Sequence, residues 1–157
     1  ALKFKSDTLR PLGRTSQGVR SITLAKGDEI IGCSIVKDDE TDVLVISELG
    51  LGKRTQAKEY RTTSRVGKGV KTMKITEKTG LLVALIVASD QQDLIASTDL
   101  GVVIRTPISE ISRTSRNTQG VKIIKPAEGS KVQTITLDES LHEENQESSE
   151  TLESENN

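Results

Sequence analysis

A motif of eight residues occurs three times in this chain at a constant interval. The three copies are GRTSQGVR at 13–20, SRVGKGVK at 64–71 and SRNTQGVK at 115–122. Their glycines, Gly18, Gly69 and Gly120, are 51 residues apart both times, and Gly50 and Gly101 keep the same interval. A fixed period of this length is the signature of repeat architectures, in which each repeat is one supersecondary unit. We therefore expect three copies of one structural unit.

Short apolar runs rich in Val, Ile and Thr recur within each copy, which is typical of strands rather than helices. In the second copy they lie at 51–56, 69–75, 81–87 and 94–98. Four antiparallel strands per repeat of 51 residues predict an all-β fold of propeller-like blades. The third copy lacks the fourth run, so the blades form a partial disc. Either the chain assembles with another copy or it is part of a longer protein, and we favour the second.

Charge divides the chain into a basic body and an acidic tail. The predicted blades cover about residues 1–50, 51–101 and 102–137, and the tail at 138–157 is expected to be disordered because it has few apolar residues. The sequence has 22 Lys and Arg and 23 Asp and Glu, and eight of these acids lie in the tail, which leaves residues 1–137 with a net charge of +7. Such a body predicts a polyanionic partner.

Several classes of function lack the residues that they need. Cys33 and His142 are the only cysteine and histidine, so no ordinary zinc site and no nucleophilic triad is expected. We therefore predict no catalytic and no metal-binding residue. No apolar run reaches the length of about 18 residues that a membrane span requires. A single cysteine allows no intrachain disulfide, so a cytoplasmic location is expected. Cys33 lies in the run EIIGCSIV, which predicts a small buried core residue.

Basic residues occupy equivalent positions in all three copies. The first register is Lys3, Arg54 and Arg105, the second is Arg14, Arg65 and Arg116, and the third is Arg20, Lys71 and Lys122. Repeated charge predicts a positive stripe along the rim or one face, on which duplex DNA could lie by releasing counterions. Nothing indicates base reading, so the contacts should be to the DNA backbone. The alternative is a solvated face of lysines and arginines.

The three registers are not equivalent in the sequence. The second precedes a Gly-Val turn and should lie in an exposed loop. The third shares strand parity with Ile22, Met73 and Ile124, so strict alternation would turn it inward unless a bulge intervenes. The repeated glycines should supply a turn with positive φ or a close backbone approach. The full set of predicted DNA contacts adds two lysines and is Lys3, Arg14, Arg20, Lys53, Arg54, Arg65, Lys68, Lys71, Arg105, Arg116 and Lys122.

Three segments resemble a known family. GRTSQGVRSI, LGKRTQAKEYRTTSRVGKGVKTMKI and VIRTPISEISRTSRNTQGVKII are similar to the last blades of the C-terminal domain of the A subunits of bacterial DNA gyrase, over about residues 1–137. The resemblance implies a six-bladed β-pinwheel, of which this chain is the second half, that binds and wraps duplex DNA and so supports ATP-dependent negative supercoiling. It also implies two partners in an A2B2 assembly, namely the rest of the gyrase A chain and the gyrase B chain. ATP and magnesium would bind elsewhere in that enzyme, and this fragment alone would not be catalytic.

Departures from the family pattern leave alternatives open. The QRRGGKG box of the first blade is missing, and SRVGKGV at 64–70 is only a degenerate version of it. Tyr60 does not match the catalytic tyrosine of the cleavage domain and is expected to be a packing residue. A near alternative is the related domain in the A-type chain of topoisomerase IV. Another is a non-catalytic propeller scaffold for protein interaction, which should show an exposed apolar patch with aromatic anchors.

Overall fold

A computed structural model describes residues 1–138 of the chain. Its strands are β1 (Asp42–Ser47), β2 (Leu51–Gln56), β3 (Leu82–Ala88), β4 (Asp93–Thr98), β5 (Val103–Pro107), β6 (Val121–Lys122) and β7 (Val132–Asp138). One turn of 3₁₀ helix occurs at the same place in each repeat, at Ser6–Thr8, Ala57–Glu59 and Ile108–Glu110. The predicted all-β fold is confirmed, and the period of 51 residues is visible in both the strands and the short helices.

The strands form two antiparallel sheets. The first has the order β3-β1-β2-β6 and the second has the order β5-β4-β7. The hairpin β1–β2 pairs Asp42 with Gln56, and the hairpin β4–β5 pairs Asp93 with Pro107. Each sheet therefore contains a hairpin with a longer strand on its outer side, β3 in the first sheet and β7 in the second.

The grouping of strands into sheets differs from the prediction, because each sheet contains strands from successive repeats and not from one copy. The runs predicted at 51–56, 81–87 and 94–98 are strands, but the last belongs to the other sheet, and 69–75 contains no strand. The equivalent segment of the third copy, β6, instead adds to the edge of β2 through the pairs Leu51 with Lys122 and Gly52 with Val121. The first sheet thus has four strands, as predicted, but they do not come from one copy.

Both faces of β1 are buried, which makes this strand the centre of the structure. All six of its residues are buried, and successive side chains point to opposite faces. Leu44 and Ile46 belong to a core between the two sheets, while Val43 and Val45 belong to a second core on the other side. Tyr60 lies in this second core and is 4% exposed, in agreement with its expected packing role.

The first copy is mostly irregular between residues 9 and 41. β3 and β7 each pair with the strand of the preceding hairpin, and no strand within residues 1–138 pairs in this way with the equivalent segment around Ile35. Ile35 is consequently 85% exposed, and Cys33 is exposed as well. The prediction of a buried Cys33 is therefore wrong. The apolar run around it forms no strand, and its residues lack the paired neighbours that would bury them.

Of the predicted acidic tail, only Asp138 lies in the described part of the chain, where it ends β7. Residues 139–157 lie outside the described residues, so the predicted disorder and the division into blades and tail stay predictions. Within residues 1–138, no helix is long and apolar enough to cross a membrane.

Glycines with positive φ close the turns of both hairpins. Gly50 has a φ of +81° and Gly101, at the equivalent position, has a φ of +78°. A Cβ added at Gly50 would lie 2.0 Å from the carbonyl oxygen of Ile124, whereas a Cβ at Gly101 would meet nothing within 4 Å. The backbone N–H groups of Ile123 and Ile124 both donate to the carbonyl of Gly50. Gly50 therefore makes a close contact with the third repeat, which Gly101 does not make with the described residues.

This difference predicts unequal effects of one substitution at two equivalent sites. Gly101→Ala should cost about 1 to 2 kcal/mol, which is the ordinary strain of a side chain at positive φ. Gly50→Ala adds a clash with backbone that cannot move aside alone, so it should cost about 3 kcal/mol or more. Urea denaturation of both variants measures the free energies of unfolding. Equal losses would contradict the assigned contact.

Candidate nucleic-acid interface

The first basic register is occupied by ion pairs within the protein. Lys3 Nζ lies 2.7 Å from Asp39 Oδ1, and the Arg54 guanidinium contacts Asp90, which is the equivalent carboxylate one repeat later. Arg105 Nε lies 2.7 Å from Asp93 Oδ2, and its NH2 group lies 3.1 Å from Asp138 Oδ2. The positive charges that the sequence places in this register are thus balanced by neighbouring carboxylates.

Arg54 is the most enclosed member of the register. Its side chain is 7% exposed and bonds to groups of all three repeats. Nε donates to the Ile111 carbonyl at 2.7 Å, NH2 donates to the Ser109 carbonyl at 3.3 Å, and NH1 donates to Asp42 Oδ2 at 3.1 Å. A guanidinium with these partners cannot reach a phosphate. Its burial excludes the predicted DNA contact.

Lys53 is completely buried, so its predicted DNA contact is excluded for the same reason. Its Nζ donates to the carbonyls of Ser115 and Arg116 at 2.6 Å and to Thr118 Oγ1 at 3.1 Å. Burial lowers the pKa of Lys53 to about 8, because desolvation disfavours the ammonium form. Lys53 and Arg54 are neighbours in β2, and both donate hydrogen bonds to the third repeat. The sequence gives no sign that these two consecutive cations are buried.

Residues of the second register bridge adjacent repeats. Arg65 NH1 donates to the carbonyl of Arg20 at 3.2 Å, and Arg116 NH1 donates to the carbonyl of Lys71 at 2.9 Å. Both bonds span 45 residues, so the contact is itself repeated. Arg14 is exposed and has no such bond with the described residues. The expected exposed loop is therefore correct for Arg14, whereas Arg65 and Arg116 are half-buried.

Arg116 has further contacts at the junction between the second and third repeats. Its guanidinium carbon lies 6.0 Å from the centre of the Tyr60 ring, and its backbone N–H donates to Glu59 Oε2 at 3.1 Å. Its Nε is buried and has no hydrogen-bond partner within the described residues. Tyr60 is held in turn by Thr72, and burial raises the pKa of the Tyr60 phenol. Among the described residues, the hydrogen bond from Arg116 to its neighbours is thus made by NH1 and not by Nε.

The third register is the exposed one. Arg20, Lys71 and Lys122 are all exposed, and their side chains form no hydrogen bond or ion pair with residues 1–138. Met73 and Ile124 are nevertheless buried two residues further on. Strict alternation fails because β6 has only two residues and ends at a bend, while residues 70–75 form no strand. The register therefore does not take the inward orientation that strict alternation would give it.

The exposed residues of the third register lie next to the bridging arginines of the second. Arg65 binds the backbone of Arg20 and Arg116 binds the backbone of Lys71, so each of these repeat junctions carries one residue of each register. Lys68, in the same turn as Arg65, is exposed and unpaired within the described residues. We call this set of seven residues the junction cations; they are Arg14, Arg20, Arg65, Lys68, Lys71, Arg116 and Lys122.

Two features of the surface were missed by sequence reasoning. Lys125 lines an open recess of about 310 Å³ together with Lys122 and Lys131. A lysine precedes it by 51 residues at position 74, but the first copy has Thr23 there, so a search for triplicate charge passes over it. The other feature is the set of carboxylates that neutralise the first register, although Asp39 and Asp90 also keep the interval. Within residues 1–138, no three His, Cys, Asp or Glu side chains are placed to hold a metal ion.

Comparisons with known proteins agree on one family. The family model of the DNA gyrase C-terminal domain, beta-propeller, matches residues 1–37, 41–89 and 92–137. The DNA gyrase A subunit of Staphylococcus aureus (strain MRSA252) is 40% identical over 153 residues, which is 96% of this chain and 17% of that protein. The DNA gyrase A subunit of Staphylococcus epidermidis (strain ATCC 12228) is 42% identical over 135 residues, covering 85% of this chain and 15% of that protein. The chain thus spans about a sixth of these relatives.

Solved structures show the same fold at lower sequence identity. A structure of the DNA gyrase A C-terminal domain matches with a TM-score of 0.78 and 23% identity, over 85% of this chain and 45% of that one. The C-terminal domain of DNA topoisomerase IV matches with a TM-score of 0.71 and 18% identity, over 76% of this chain and 38% of that one. The topoisomerase IV domain therefore shares the fold, while the family model and these relatives carry the gyrase name. The chain belongs to the DNA gyrase C-terminal domain family.

Proposed function

We propose that this chain binds duplex DNA through the phosphate backbone and wraps it, as part of the A subunit of a DNA gyrase. One observation carries the proposal: an exposed cation without an internal partner among the described residues stands at the same position of all three repeats, at Arg20, Lys71 and Lys122. A regular series of such charges suits a regular polyanion, because each contact releases condensed counterions. Residues 1–137 as a whole are also positively charged, with a net charge of +7.

Contact with the backbone follows from the residue types. The junction cations are arginines and lysines in turns, irregular segments and the two-residue strand β6, and none lies on a helix that could enter the major groove. Phosphate contacts position a protein on a duplex without reading its sequence. Little sequence preference is therefore expected. Bending the duplex costs a few kcal/mol, so long or already curved DNA should bind better than a short straight duplex.

The role in the whole enzyme follows from the family. Wrapping by this domain would present a DNA segment to the cleavage core in one handedness, and ATP-driven passage of that segment would introduce negative supercoils. The proposed partners are the rest of the gyrase A chain and the gyrase B chain, in an A2B2 assembly in the cytoplasm. ATP and magnesium are proposed to bind in other parts of that enzyme.

The third register, which is exposed, should account for a large part of the salt dependence of DNA binding. The seven junction cations predict a slope of log K against log salt of about −6 if all contact phosphate. Removing the exposed register by R20A, K71A and K122A together should make that slope less negative by about 3 and weaken affinity at least about tenfold at 100 mM salt. Fluorescence anisotropy with a long labelled duplex at several salt concentrations measures both.

A matched control removes the same charge elsewhere. Lys5, Lys26 and Lys78 are exposed, and none has a basic residue at the equivalent position of another repeat. The variant K5A/K26A/K78A should keep the slope of the wild type within about 1. If both triple variants lost the same affinity, total charge alone would account for binding, and the repeated positions would be a solvated face.

The first register should affect stability instead. Arg54→Met leaves Asp42 buried with fewer partners and frees the carbonyls of Ser109 and Ile111, so it should cost about 3 kcal/mol. Arg105→Met removes two ion pairs whose arginine is 37% exposed, and water screens such pairs, so it should cost about 1 kcal/mol or less. Urea denaturation compares the two. A smaller loss for Arg54 than for Arg105 would contradict the internal role.

A further inference from the structure

We infer that Lys53 is a positioning residue for the junction cations between the second and third repeats, and this inference rests on the DNA-binding function proposed above. Lys53 is 0% exposed, so it cannot bind DNA itself. It acts through the turn of residues 115–118, whose backbone it holds. This turn then fixes the position of Arg116 and of the cations on either side of it.

The bonds from Lys53 leave the turn little freedom. An ammonium group has three protons, and Lys53 Nζ has three acceptors, the carbonyls of Ser115 and Arg116 and the hydroxyl of Thr118. Two of these acceptors are consecutive carbonyls at 2.6 Å. Rotation of either peptide would break a charge-assisted hydrogen bond, and such bonds are stronger than neutral ones. The turn is thus held from inside the fold, by a residue of the preceding repeat.

The same turn lies between the two exposed lysines of this junction. On one side, the Arg116 guanidinium leaves the turn and donates to the carbonyl of Lys71 at 2.9 Å. On the other side, the chain continues into β6, where Lys122 pairs with Leu51 in β2. Leu51 and Lys53 belong to one strand, so Lys122 and the turn are held by the same support. Displacing the turn would change how Lys71, Arg116 and Lys122 are spaced for successive phosphates.

The preceding junction shows that a lysine is not needed for packing at this place. Leu2 stands at the position equivalent to Lys53, and it lines the recess beside Gly67, in the equivalent turn. Leu2 can pack against its turn but has no polar group to hold the turn's backbone, so the internal hydrogen bonds from Lys53 are particular to the second junction. Burying the ammonium of Lys53 is unfavourable, as its lowered pKa indicates, so the lysine is better explained by what its hydrogen bonds hold in place.

Lys53→Leu tests the inference, because it gives the second junction the residue of the first. The full chain is measured as wild type, K53L, K71A/K122A and the combination of all three substitutions, by anisotropy with one long duplex at 100 mM salt. We expect K53L to weaken DNA binding about tenfold in the wild-type background and less than about twofold once Lys71 and Lys122 are replaced, because coupled residues are not additive. A residue with a general stabilising role would weaken both backgrounds equally.

The possible outcomes separate the positioning role of Lys53 from the proposed DNA-binding function. If K53L binds DNA like the wild type, or if it weakens both backgrounds by the same factor, the positioning role is overturned while the proposed function stands. If K71A/K122A binds like the wild type, the proposed function itself fails. If K53L loses cooperative unfolding, Thr118→Val decides: it removes one of the three acceptors, so a folded variant should lose about twofold to fivefold in affinity, and an unchanged affinity would overturn the inference.

Discussion

Two buried cations in one strand hold this structure together. Lys53 and Arg54 are consecutive in β2, and their side chains donate to four carbonyls of the third repeat, those of Ser109, Ile111, Ser115 and Arg116. Removing a cation from water is costly unless the new environment supplies acceptors in good geometry. Here the acceptors come from a different repeat, so the cost is offset only when the two repeats are docked. Lys53 and Arg54, which the sequence predicts as DNA contacts, instead join the repeats.

This constraint explains why the repeats are not independent blades. β6 of the third copy completes the sheet that the hairpin β1–β2 begins, and the bridging bond from Arg65 to Arg20 recurs from Arg116 to Lys71. Each repeat therefore depends on its neighbour for backbone pairing and for side-chain partners. In repeat proteins, stability is approximately a sum of repeat terms and nearest-neighbour interface terms, and here the interfaces include both backbone pairing and side-chain hydrogen bonds. The cations at these interfaces are therefore positioned by contacts between repeats.

The sequence was sufficient to predict the period, the all-β fold and the family, because each depends on positions that recur three times. It was insufficient to separate the basic registers, since repetition alone does not tell a cation that binds a ligand from one that binds the next repeat. Asp39 and Asp90 keep the same interval as Lys3 and Arg54, so a search for paired acids would have identified the internal register. Strand parity misled for Lys122, because β6 is too short for alternation, and the apolar run misled for Cys33, because burial depends on a pairing strand.

Chemical modification of lysines, with and without DNA, tests the division between internal and DNA-facing cations most directly. The folded chain is treated with an acetylating reagent, alone and bound to a long duplex, and the modified lysines are identified by mass spectrometry. Lys53 should stay unmodified in both states, while Lys71 and Lys122 should react in the free chain and be protected on DNA. Lys26 and Lys78 should react in both. Modification of Lys53 in the free folded chain, or undiminished reaction of Lys71 and Lys122 on DNA, would contradict this account.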